Sequence, residues 1–200
     1  MPQDNSPLFS QGLSHSEHRA DVKLDHVGRF RGRKLFLENA IIAACSEMDP
    51  FEDWKIHQDF MKVAIEEAKL GMREGGIPIG SLLVRDGKII GHGHNKRVQE
   101  RDPTSHAEID CLRKTGRIGS YSGTTLYSTL MPCYLCAGAV VQFGIKKVVV
   151  GESTTFPGAE ELMVSRGVQV INLNLDECKE IMKQFIKKNP KLWNEDIGKL

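Results

Sequence analysis

Apolar and polar positions fall into regular runs from Asp53 onward. In "WKIHQDFMKVAIEEAKLGMREGG", Ile56, Phe60, Val63, Ala64 and Ala68 recur at helical spacing, which predicts a helix with these residues on one face. Gly75 and Gly76 supply its stop. "PIGSLLV" then reads as a strand, "KIIGHGHN" as its return strand, and Asp86-Gly87 between them suits a tight hairpin turn. "SHAEIDCLRKTG" is a short helix ended by Gly116, and "TTLYSTL" a strand. "PCYLCAGAVVQFG" is an apolar helix with Pro132 at or near its start and Gly144 after its end. "IKKVVVGE" is a strand, "GAEELMVSRG" a helix closed by Gly167, and "VQVINL" a strand. "DECKEIMKQFIKKNP" is an amphipathic helix, and "KLWNEDIG" ends the ordered chain.

A helix, a hairpin and then alternating helices and strands predict an α/β layered sheet. The hairpin is necessarily antiparallel, and a helix between the last two strands implies a parallel crossover, so the sheet is expected to be mixed. Residues 1–50 differ: "MPQDNSPLFSQGLSHSEHRADVK" is polar, and the basic cluster "HVGRFRGRK" follows it. This N-terminal extension reads as largely disordered or weakly ordered, ahead of a domain over 51–200. "RKLFLENAIIAACSEM" is a candidate docking helix, and Met48 a candidate second start.

Composition narrows the class. With 40% apolar residues, 26% charged residues and a formal net charge of +1, the chain shows neither a strongly basic nucleic-acid surface nor a polyanionic tail. No apolar run approaches the roughly 20 residues of a membrane helix. The five cysteines, Cys45, Cys111, Cys133, Cys136 and Cys178, are an odd count without a secretory signal. Reduced thiols in the cytoplasm, with the nucleus as second candidate, are the expectation.

The chemistry concentrates in "HAE" at 106–108 and "PCYLC" at 132–136. Alone, "TSHAEIDC" has two readings. Ser105 and Glu108 could close a capping box, or His106 could be a metal ligand with Glu108 as an acid-base group. "PCYLC" changes the weighing. Cys133 and Cys136 lie one helical turn apart, so both sulfurs reach one face, and a helix N-terminus favours their thiolates. With His106 they form a ligand set suited to a catalytic zinc, which keeps one position open for water. The two thiolates cancel the charge of the ion, and Glu108 is the nearby proton carrier. Mid-helix, positions i and i+2 point apart, so this pairing requires the first turn. The expected geometry has the Glu108 carboxylate facing the metal site rather than the Ser105 amide. His92 and His94 share a strand face but lack an apparent third ligand, which favours a structural role. Cys111 and Cys178 read as buried core thiols.

HxE followed by PCxxC across a strand is the known signature of the nucleobase zinc deaminases. From about Trp54 to Gly198 the chain resembles the fungal-type cytosine deaminases of the cytidine deaminase-like superfamily. The resemblance runs through "EGGIPIG", "GHGHN", "TTLYSTLMPC", "VVVGE", "CKEIMKQFIKKNP" and "LWNEDIG". It implies a three-layer α/β/α domain with a five-stranded mixed sheet, one Zn2+ per chain and a homodimer. It implies zinc ligands at His106, Cys133 and Cys136 and a proton shuttle at Glu108. Asn95 would hydrogen-bond the pyrimidine, and Asp196 would lie near the exocyclic amine. Ile79, Phe156 and Trp193 would surround the base, and the Ala107 amide would lie near its carbonyl. Met131 stands where the fungal members carry a small polar residue, a difference in pocket shape.

The implied reaction is hydrolysis of cytosine to uracil and ammonia in pyrimidine salvage, with 5-methylcytosine to thymine as the same chemistry on a substituted base. "LWNEDIG" is a candidate lid. Deamination of tRNA adenosine, which needs a basic groove, of guanine and of free cytidine are the enzymatic alternatives. A non-catalytic zinc-stabilised binding module is the alternative of another class, and it would have no use for Glu108.

Overall fold

Asp86 and Gly87 have φ of 50° and 69°, the left-handed backbone of a two-residue hairpin turn. They join β1 (Gly80–Arg85) to β2 (Lys88–His94), as the "RDGK" signal predicts. The computed structural model describes residues 50–199, with side chains from Asp53 to Lys199. The N-terminal extension, its candidate helix, Met48 and Cys45 lie outside the described residues.

The remaining strands are β3 (Thr124–Ser128), β4 (Lys147–Val150) and β5 (Gln169–Asn172). The sheet order is β2-β1-β3-β4-β5. β1 is antiparallel to β2 and β3, while β3–β4 and β4–β5 are parallel. The predicted five-stranded mixed sheet is therefore what forms. Helix α1 (Pro50–Arg73) precedes it. A short helix that hydrophobic periodicity did not reveal, α2 (Arg97–Glu100), follows β2. Then come α3 (Ala107–Thr115), α4 (Tyr134–Phe143), α5 (Glu160–Ser165) and α6 (Asp176–Lys188). The terminal segment forms α7 (Pro190–Asp196), with Pro190 at its first position.

Strand alternation builds the three layers. On β4, Val148 and Val150 join a core with Cys111, Leu112, Ala137, Val140 and Met163, contributed by α3, α4 and α5. Val149 points to the opposite face, where Met61, Ala64 and Ile65 of α1 and Cys178 of α6 pack. A third cluster, including Ile77, Ile79, Leu130, Phe185 and Trp193, brings together the segment entering β1, the segment after β3 and the two C-terminal helices.

The predicted face of α1 needs correction. Ala64 and Ala68 are buried and Phe60 is partly so, but Ile56 and Val63 are 43% and 41% exposed. The packed face instead includes His57, Met61, Ile65 and Gly71. The cause is close approach: a Cβ on Gly80 would sit 2.0 Å from the Ala64 carbonyl oxygen. Small residues therefore set the line of contact, and counting bulky ones rotates the face.

"GHGH" has a matching explanation. Gly91 and Gly93 lie against α3, where a Cβ on Gly93 would come 2.6 Å from the Cys111 nitrogen. His92 and His94 alternate to the α1 side. His94 Nδ1 is 3.0 Å from Glu67, its Nε2 is 3.0 Å from Glu74, and His92 Nδ1 is 2.8 Å from Glu67. These histidines therefore clamp β2 to α1, consistent with a structural role.

Burial alone would raise the Glu67 pKa, but hydrogen bonds and charge from His94 and His92 outweigh it and hold the carboxyl below its usual value. A depressed carboxyl stabilises the fold above its unfolded pKa, and this contribution is lost as pH falls through the folded value. Glu67→Gln should therefore cost about 1–3 kcal/mol near neutral pH. Denaturant unfolding should show that penalty shrinking once the medium is more acidic than the glutamate range; a penalty independent of pH would contradict the assignment.

Candidate active site

His106 and Cys133 occupy equivalent places on two helices. Each is an N-cap with extended backbone, His106 at φ −72° and ψ 161° before α3, Cys133 at φ −71° and ψ 175° before α4. Cys136 lies in the first turn of α4 and is buried. The His106 Nδ1 to Cys133 Sγ distance is 3.4 Å, and donor atoms of all three residues lie within 4.8 Å of one another. Ligands at about 2.0–2.3 Å around a tetrahedral zinc are separated by about 3.3–3.8 Å, so this donor set fits the ion.

The electrostatics point the same way. Cys136, then His106, hold the neighbouring Cys133 thiol well below the usual range, down to about 4. The same Cys133 contact, together with burial, pushes Cys136 up. Burial would lower the His106 pKa, but Cys133, Glu108 and Asp196 outweigh it and raise it. A cluster that retains protons through excess negative charge is suited to a dication in their place.

Glu108 is the second residue of α3 and is buried. Ser128 Oγ donates to its Oε1 at 3.1 Å, and Cys136 Sγ lies 3.3 Å from its Oε2. Burial, with the Cys133 charge, raises its pKa. The capping-box reading fails here: His106 is the N-cap, and the Ser105 hydroxyl donates to Glu100 at 2.6 Å. Because His106 is still extended while Glu108 is already helical, the two side chains converge on one cavity.

The empty space at that cavity, its open mouth included, is ≈ 340 Å³. Its polar lining includes Asn95 and Asp196 besides His106, Glu108 and Cys133, and its apolar lining includes Ile79, Phe156 and Trp193. Phe156 and Trp193 meet edge to face, with ring centroids 6.2 Å apart. Asn95 is fully buried; its Oδ1 accepts the Arg97 N–H at 3.1 Å, and its Nδ2 has no hydrogen-bond partner. An unpartnered buried donor lining a cavity is suited to a ligand acceptor. Asp196 Oδ1 is 4.0 Å from His106 Nε2, close enough for charge attraction but too long for a hydrogen bond. Ala107 lies behind the lining, packed with Ile79, Leu130 and Trp193. As the first residue of α3, its N–H has no partner within the helix.

The sequence reading did not identify Arg97, Ser128, Leu130 or Ile197 as site residues. Ser128 had a weak signal: a polar residue ending an otherwise largely buried strand. Met131, noted for pocket shape, lines the cavity. Cys111 and Cys178 are buried thiols, each pushed up to about 12 chiefly by burial, as expected of core cysteines.

Residues 54–152 match the family described as "Cytidine and deoxycytidylate deaminase zinc-binding region". A cytosine deaminase of Candida albicans is 45% identical over 141 residues, covering 69% of this chain and 94% of the relative. A tRNA-specific adenosine deaminase of Buchnera aphidicola is 39% identical over 133 residues, covering 65% and 85%. A solved structure from a study of A-to-I editing by tRNA:A34 deaminases aligns with a TM-score of 0.57 at 31% identity, over 62% of this chain and 99% of that one.

Proposed function

The chain belongs to the cytidine and deoxycytidylate deaminase family, and from that premise we propose that it hydrolyses free cytosine to uracil and ammonia. The observation carrying this choice is the wall formed by the C-terminal segment. Trp193, Asp196 and Ile197 line the same cavity as His106 and Glu108, and Trp193 is buried. A free base needs no opening for a ribose or flanking phosphates. A near-neutral chain also lacks the strong overall positive charge that would favour RNA.

His106, Cys133 and Cys136 would hold the zinc, which when bound would supply Lewis acidity that lowers the pKa of water toward neutral pH. Glu108 takes a proton from the attacking water and protonates ring nitrogen 3 as carbon 4 becomes tetrahedral. It then takes the proton of the new carbon 4 hydroxyl and passes it to the amino group; the carbon–nitrogen bond breaks as the carbon 4 carbonyl forms, and ammonia leaves. Ser128 orients the Glu108 carboxyl. Asn95 Nδ2 donates to a ring acceptor, Asp196 accepts from the exocyclic amine, and the Ala107 amide faces the ring carbonyl. Ile79, Phe156 and Trp193 hold the flat ring and exclude water.

The reading extends to a homodimer. Tyr134, Leu135 and Phe143 of α4 are 71%, 45% and 48% exposed, an apolar face suited to a second copy. Pyrimidine salvage in the cytoplasm completes the proposal. Purified zinc-loaded protein should release ammonia from cytosine in preference to cytidine, guanine and an adenosine-bearing tRNA, and should elute as a dimer on sizing. Turnover of tRNA alone would overturn the substrate, retained zinc without ammonia release from any of the four would favour a binding module, and a monomer would remove the dimer.

A further inference from the structure

The segment closing the cavity is tied down by a residue outside the zinc motif. Arg97 opens α2 two positions after Asn95, and its side chain is 11% exposed. Its Nη1 donates to Asp196 Oδ1 at 2.6 Å, and its Nη2 lies 3.6 Å from Glu195. Its Nε donates to the Pro103 carbonyl at 3.2 Å. Its own backbone N–H is the group donating to Asn95 Oδ1. One residue thus contacts both polar side chains offered to the base, and joins α7 to the loop leading into His106.

These contacts give the pocket a direction. With Oδ1 of Asn95 occupied, the amide leaves its Nδ2 donor for a ligand. With Oδ1 of Asp196 held by a guanidinium, the other carboxylate oxygen remains to accept an N–H. The planar fork of arginine reaches the carboxylate and the Pro103 carbonyl together. Lysine, a point charge on a flexible stem, preserves only the ionic part.

Building on the cytosine reading, we propose that Arg97 is a positioning residue for substrate recognition: its guanidinium fixes Asp196 so that the remaining carboxylate oxygen receives the exocyclic amine.

The test uses the full-length, zinc-loaded chain carrying Glu108→Gln, in which cytosine persists long enough for calorimetry. Adding Arg97→Met should weaken cytosine binding by roughly 10- to 100-fold, the range for losing a hydrogen bond to a charged group. Arg97→Lys should recover part of that loss. Asp196→Asn should weaken binding comparably, and adding Arg97→Met to it should cost less than about twofold more, because coupled residues do not contribute independently. With Glu108 intact, Arg97→Met should raise KM by a larger factor than it lowers kcat. Should Arg97→Met fail to fold, Arg97→Gln carries the same comparisons. Affinity unchanged by the Arg97 substitution, or penalties at residues 97 and 196 that multiply, would overturn the positioning role. If the Glu108→Gln parent binds no cytosine and the unsubstituted enzyme releases no ammonia from it, the functional reading fails instead.

Discussion

Replacing Glu108 with Gln is expected to lower the rate of deamination by roughly 10²–10⁴-fold, the usual contribution of a positioned acid-base group. The substituted chain should keep its zinc. Gln matches Glu in shape and can still receive the Ser128 hydrogen bond, but it cannot carry a proton from water to the base or to the leaving amine. The position is costly for a charge: Glu108 is buried, and burial raises its pKa. An amide removes the penalty for ionising that group, so the thermal midpoint should hold or rise while activity falls. Metal analysis, calorimetry and ammonia release on one preparation separate these effects. A zinc-bound Glu108→Gln chain that deaminates at the unsubstituted rate would overturn the role.

Cys136→Ser should abolish both zinc retention and deamination. Cys136 is buried in the first turn of α4, where its thiolate is costly without a cation and a bound dication would offset that cost. The serine hydroxyl ionises far less readily and is a poor replacement. Ligand binding at a hundredfold excess over Kd stabilises a fold by about 2.7 kcal/mol. Loss of that term should lower the melting midpoint by about 5–10 °C for a chain of this size. Chelated unsubstituted protein should show the same drop, and added zinc should restore it but not Cys136→Ser. A serine variant that holds stoichiometric zinc and remains active would remove Cys136 from the ligand set. Substrate discrimination rests on other residues, so this result stands whichever base the enzyme prefers.

Much of the site was legible because its chemistry is written in local spacing. Cys133 and Cys136 are one turn apart whatever the surroundings, and Asp86-Gly87 announces its own turn. The packed face of α1 was not legible, because it depends on how closely the sheet approaches. Ile56 and Val63 satisfy helical periodicity, yet the small Ala64, Ala68 and Gly71 decide the contact. Arg97 was hidden for another reason. It belongs to no periodic run, and its main partner, Asp196, is 99 positions away. Ser105 misled by the same locality: its hydroxyl serves Glu100, and the helix begins a residue later than a capping box requires.

The amino-acid sequence by itself determined the alternation of helices and strands, the hairpin turn, and a ligand set whose residue types suit zinc. These are properties of neighbouring residues, set by backbone preference and side-chain chemistry. Only the tertiary structure decided which helix starts meet. Pairing of β1 with β3 brings the N-terminus of α3 to that of α4, so that His106 and Cys133, 27 positions apart, face each other at 3.4 Å. It likewise folded α7 back over the cavity, where Arg97 donates to Asp196 near the candidate metal-holding residues. The physical reason is that such contacts are selected by burying the sheet faces, a condition imposed by the whole packed core.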